Sequence, residues 1–252
     1  MITTILLLIG FSAGFLSGAV GFGGGMILLP ILTFFFGIEA AVPISTISQL
    51  MSNLSKVAIG FKEIQWKKAG EFLLFATPLT AFGAIGFVIV PKSLMTKILS
   101  ICLILFAIQK LRGKLKLTHS KTTTIIGGGI TGIINGLLGI SGPLSSAVFL
   151  TLGMAPIAYI ATEATAASTM HIVKIIVYGK LNLVDLNILF QGLYIGFAMI
   201  LSIHFNRYDL CFDKYTECGD KCKSLYFIAL HICVVPLSFS LFCEYPLSDT
   251  RC

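Results

Sequence analysis

An otherwise apolar stretch carries Ser45, Ser48, Gln49, Ser52, Asn53 and Lys56, spaced 0, 3, 4, 7, 8 and 11 residues from the first. That spacing draws one polar stripe along one face of a helix. Farther along, Glu163, His171 and Lys174 share a helical face, with Thr162, Thr165 and Thr169 close by. Hydroxyl, carboxamide, imidazole and ammonium donors together suit a small anion. Lysines in apolar surroundings also add positive potential that counts for more than in water. Glu163 is the one acidic residue in this register, about three turns before Lys174, and two roles are open to it. It is either a counter-charge that keeps an empty cavity near neutral or a proton carrier, a task His171 can share. The bland alternatives are helix–helix glue for the stripe, snorkelling for the lysines, and a wet helix end for Glu163.

Two glycine-rich points have their own chemistry. Gly21-Phe22-Gly23-Gly24-Gly25 and Gly139-Ile140-Ser141-Gly142-Pro143 each interrupt a long apolar run. A helix that starts there offers unpaired N–H groups and the positive end of its dipole to an anion. Gly23, Gly24 and Gly25 remove side chains so that backbone can approach a ligand. Close helix packing explains Gly10, Gly14 and Gly18 well and the Gly21–Gly25 cluster poorly. A competing reading takes Gly139-Ile140-Ser141-Gly142 as the G-x-S-G of a rhomboid-type intramembrane serine hydrolase, with Ser141 as nucleophile and His171 as base.

The elements that must hold these residues are membrane helices. The chain has 252 residues, 56% apolar and 12% charged, and its mean hydropathy is +0.94. Ordinary soluble domains are about 25% charged, so disorder, a fibrous repeat and a typical soluble enzyme are excluded. The apolar runs are Ile2–Phe36, Ala40–Phe61, Phe72–Val90, Leu94–Ile108, Thr122–Gly153, Pro156–Tyr178, Asn187–Ile203 and, less regular, Leu225–Cys243. They predict an all-α polytopic bundle of seven or eight spans. Backbone broken at membrane depth persists only where protein covers it or where it lines a wet cavity.

The two breaks are related by an offset of 118. Gly10, Gly14, Gly18, Gly21 and Gly24 fall on Gly128, Gly132, Gly136, Gly139 and Gly142, and Lys56 falls on Lys174. Five glycines in register with a rare intramembrane lysine predict an internal repeat. Paired interruptions in corresponding halves mark a transporter's binding site. The expected organisation is a first repeat over 1–121, the core of a second over 122–203, and an atypical segment over 204–252. Whether the repeats are parallel or inverted stays open at this level.

The net charge of +7 sits in short gaps between apolar runs, which fits orientation in a bilayer rather than nucleic acid. Lys62, Lys67 and Lys68 crowd the 61–70 loop, and Lys110, Arg112, Lys114, Lys116 and Lys121 crowd the 110–121 connection. The positive-inside rule makes both loops cytoplasmic in a multi-pass cell-membrane protein. The start lacks the basic region and cleavage site of a signal peptide, so the first span is expected to stay. Residues 204–252 hold 11 of the 29 charged residues and six cysteines. Cys211, Cys218 and Cys222 lack a recognised zinc spacing, and an altered or frame-shifted end is one expectation for this segment.

Gly14-Phe15-Leu16-Ser17-Gly18-Ala19-Val20-Gly21-Phe22-Gly23-Gly24-Gly25 with Leu29-Pro30, then Gly60-Phe61-Lys62 and Trp66, and the echo over 132–143, resemble the TauE/SafE family of membrane transporters. The resemblance covers roughly residues 5–203. It implies about eight spans in two halves and the movement of a small sulfur-containing or organic anion. The family pattern ends in another clean apolar span, from which 204–252 departs. The expectation is a secondary transporter working by alternating access, with no cofactor and no metal. No G-x-x-x-x-G-K-[ST] run is present for ATP drive. Its partners are the small anion and the lipid bilayer, compatible with a homo-oligomer. The expected anion contacts are Gly23, Gly24, Gly25, Ser52, Asn53, Lys56, Ser141, Gly142, His171 and Lys174, with Glu163 coupling protons.

Overall fold

The computed structural model describes residues 2–20, 24–112, 120–140 and 142–209. Regular structure in these residues is helical: α1 (Ile2–Val20), α2 (Gly24–Ile59), α3 (Trp66–Ile89), α4 (Lys92–Arg112), α5 (Lys121–Leu138), α6 (Gly142–Leu150), α7 (Pro156–Lys180) and α8 (Leu186–Asp209). One short 3-10 turn, Phe61–Glu63, joins α2 to α3. Four helical stretches are long and apolar enough to cross a membrane: α2, α3, α7 and Leu186–His204 of α8. The expected span Leu225–Cys243 and the six late cysteines lie outside the described residues.

The second glycine-rich point ends a helix, α5 stopping at Leu138 before α6, which is described from Gly142; at the first, α1 is described to Val20 and α2 from Gly24. Gly139 closes α5 in the left-handed region (φ 79°), its N–H donating to the Asn135 carbonyl. A further break falls inside α2, where Gly37 (φ 73°, ψ 162°) separates arms of residues 24–36 and 38–59. That backbone region is open in practice to glycine alone. α7 begins with Pro156 in its first turn, where a missing N–H costs nothing.

Outward faces are apolar and the interior is polar in part. Leu74, Phe82 and Ile89 of α3 are 63%, 71% and 76% exposed. Soluble monomers rarely expose such contiguous apolar surface, whereas lipid covers it without cost. Inside, Phe87 stacks against Tyr178 and Phe72 against Phe149. Tyr178 donates its hydroxyl to the Gly136 carbonyl at 3.2 Å.

Small residues set the helix pairings and their directions. Gly128, Gly132 and Gly136 of α5 lie against the carbonyls of Phe72, Ala76 and Thr80 of α3. The pairings advance together, so α3 and α5 run parallel. Lys62, Lys67 and Lys68 at the start of α3 therefore share an end with Lys121. Gly10 and Gly14 of α1 pack likewise on Ile195 and Met199 of α8, again in parallel. α2 and α7 run the other way: Gly60 meets Ala161, whereas Val42 and Lys174 both approach Gly139.

A methyl group at Gly132 would lie 2.9 Å from the Ala76 Cα as well as striking its carbonyl. Neither atom can swing aside as a side chain does. Gly132→Val is therefore expected to destabilise the protein by about 1–3 kcal/mol or more. Thermal unfolding in detergent measures this, with Gly70→Ala as control because nothing lies within 4 Å of that position.

Candidate functional site

The polar stripe of α2 is buried along its whole length, from Ser45 to Lys56. Its residues could not face lipid without leaving polar groups unpaired, so the arm 38–59 turns them toward α7 and α1. Gln49 donates to Ser45 Oγ at 2.6 Å. Lys56 Nζ donates to Ser17 Oγ of α1 at 2.7 Å and to Asn53 Oδ1, one turn back, at 3.1 Å. Lys56 thus ends in an oriented position rather than snorkelling to an interface.

A cavity forms where the broken helices meet. It is lined by Ser17 of α1, by Gly24, Gly25, Met26, Gln49, Ser52, Asn53 and Lys56 of α2, by Ile140 and Gly142, by Glu163 and Ala167 of α7, and by Met199 of α8. The first described residues of α2 (Gly24–Gly25) and of α6 (Gly142) both reach it. A Cβ at Gly25 would run into the Gln49 carboxamide, and one at Gly24 would sit 3.0 Å from Met199 Cε. Bare backbone is what lets these side chains close over the helix starts. Glu163 is buried and accepts a 2.6 Å bond from Ser145 Oγ of α6. It lines the same cavity as the Lys56 ammonium.

Seven of the residues expected at the site come together here: Gly24, Gly25, Ser52, Asn53, Lys56, Gly142 and Glu163. Gly23 and Ser141 lie outside the described residues, and with Ser141 the hydrolase pairing. His171 and Lys174 do not line the cavity, although both are fully buried. Lys174 Nζ instead donates to the side-chain and backbone oxygens of Asn135 on α5, at 3.3 and 3.4 Å. Both ring nitrogens of His171 lack a hydrogen-bond partner. Lys56 and Glu163 thus line one cavity, while Lys174 lies outside it against Asn135. Because α2 and α7 are antiparallel, equal positions in the 118-residue register move apart along the pair. Lys56 comes level with Glu163, and Lys174 comes level with the break after α5.

Three partners escaped sequence reasoning: Ser17, Asn135 and Ser145. A signal for two of them existed. Ser17 and Asn135 are themselves 118 apart, and each stands 39 residues before its lysine. Ser145 carries no such mark and is found only through its bond to Glu163.

The buried ionisable acid and lysine side chains of the described structure are Lys56, Lys174 and Glu163, two lysines and one carboxyl group.

A family model described as sulfite exporter TauE/SafE matches residues 6–205. The chain belongs to that family. A probable membrane transporter protein of Methanocaldococcus jannaschii is 27% identical over 187 residues, covering 62% of this chain and 69% of the relative. No solved structure matches the chain. The family match spans α1 to α8 and therefore includes every wall of the cavity. It places this TauE/SafE member among membrane transport proteins, in agreement with its outward apolar faces.

Proposed function

We propose that this chain is a secondary transporter that moves a small sulfur-containing or organic anion across the cell membrane by alternating access. The observation that carries this reading is a cavity deep in an apolar bundle, walled by the first described residues of α2 and α6 and by a buried lysine. Lys56 supplies the charge, Ser52 and Asn53 supply neutral donors, and the N–H groups at Gly24–Gly25 and Gly142 complete the cradle. Ser52 Oγ has no hydrogen-bond partner, as a donor awaiting a ligand would not. Glu163 balances Lys56 when the cavity is empty. When the anion takes that place, Glu163 carries a proton.

Alternating access draws support from features that fit two inverted repeats. Helix starts recur at the offset seen in the sequence: 24 and 142, and, after Gly37, 38 and 156. The second arm of α2 and its counterpart α7 run antiparallel, as inversion requires. α1 packs on α8 as α5 packs on α3, so each half's first helix leans on the other half's third. The basic 61–70 and 110–121 segments face the cytoplasm in this reading.

Purified protein in proteoliposomes, offered sulfite, thiosulfate, sulfoacetate and small carboxylates under an imposed pH gradient, tests the proposal. Saturable uptake of at least one anion is the expected result. Uptake of none by folded protein overturns it.

A further inference from the structure

The geometry points to a second anion site, closed in this conformation, formed by Asn135, His171 and Lys174. It rests on the transporter reading above and goes beyond it, since the open cavity contains none of the three. Lys174 and His171 are both fully buried and stand one turn apart on α7. Asn135 of α5 faces Lys174, and its Nδ2 donates to nothing. Neither nitrogen of His171 has a partner, although a neutral imidazole always carries one N–H. Lys174 and His171 are thus buried donors one turn apart on α7, and the ammonium finds, among the described residues, only the oxygens of Asn135, beyond 3.2 Å. Lys56 has Ser17 at 2.7 Å. Buried donors left unmet call for an explanation. The ligand that satisfies an ammonium, an imidazole N–H and a carboxamide together is a small oxyanion, whose several oxygens only accept.

The register says when the site opens. Asn135, His171 and Lys174 stand 118 residues after Ser17, Asn53 and Lys56, the three residues at the heart of the open cavity. Two related pairs, Gly24 with Gly142 and Gln49 with Ala167, line that cavity together, so it sits where the halves meet. When the halves exchange conformations, Asn135, His171 and Lys174 line a cavity on the opposite face of the membrane and receive the anion there. The Ser17–Asn53–Lys56 set then closes.

Single cysteines placed by Ser17→Cys and Asn135→Cys in an otherwise cysteine-free chain test this, using a membrane-impermeant thiol reagent on either face of oriented proteoliposomes. Ser17→Cys is expected to label from one face and Asn135→Cys from the other, with sulfite slowing both reactions. Labelling of Asn135→Cys from the same face as Ser17→Cys, or from neither, overturns the second site. Protection by sulfite at Ser17→Cys alone overturns it too, leaving only a wetted packing defect around His171. Transport supplies an independent arm. Lys174→Gln is expected to lower sulfite counterflow about tenfold or more, the loss of one charge-assisted hydrogen bond. His171→Asn, which installs the residue found at position 53, is expected to retain more than His171→Ala. Parent-like counterflow in Lys174→Gln would defeat the proposal. If the parent itself moves no sulfite, the choice of anion fails, and two-sided labelling still decides the site.

Discussion

Lys56→Gln is expected to lower both thermal stability and anion uptake, and Lys56→Gln combined with Glu163→Gln to restore the first without the second. The single substitution leaves the Glu163 carboxylate buried beside Ser145 with its cationic neighbour gone. Breaking one side of a buried charge pair costs about 3–5 kcal/mol where the other stays ionised. Replacing both members removes that penalty, because two neutral carboxamides can bond to each other or to water. Uptake does not recover, since the ammonium held between Ser17 and Asn53 is the charge the anion meets. Loss of that contact is worth roughly 10–100-fold in transport at limiting anion. Unfolding in detergent and initial uptake rates in proteoliposomes measure the two effects separately. A double variant no more stable than Lys56→Gln would show that the two charges do not depend on each other.

Glu163→Gln alone should abolish uptake driven by a pH gradient while sparing exchange of labelled anion at equilibrium. Glutamine keeps the size and the bond from Ser145 but can neither balance Lys56 nor carry a proton. With Lys56 still present, the anion remains bound and even gains from the lost competitor, so one-for-one exchange continues. Net movement against a gradient requires a proton to travel with the cycle, and that step is what the substitution removes. Counterflow and gradient-driven uptake, measured on the same vesicles across pH 5.5 to 8 (a window chosen around neutrality), separate these outcomes. Gradient-driven uptake that equals the parent's would remove Glu163 from coupling altogether.

Much of this protein is legible in one dimension because a bilayer imposes simple rules. Apolar runs of spanning length must be helices, so the described helices cover the first seven runs read from composition, with α2 joining two of them across Gly37. Polar residues at helical spacing must turn inward, and the stripe from Ser45 to Lys56 does. Glycine clusters at membrane depth are expected to break helices, and α5 does end at Gly139. The family follows from the same glycine-rich signature. Periodicity is blind, however, to which face meets which neighbour. Lys56, His171 and Lys174 look like one constellation in the 118-residue register, yet only Lys56 reaches the cavity. The direction in which α7 runs past α2 made that choice, and direction depends on how many times the chain crosses before it returns. Antiparallel packing brought Glu163 from one half to the cavity that Lys56 of the other lines, and left His171 and Lys174 buried outside it, Lys174 against Asn135. Pair contacts between helices come from three-dimensional packing of side chains far apart in the chain, and no local spacing encodes them.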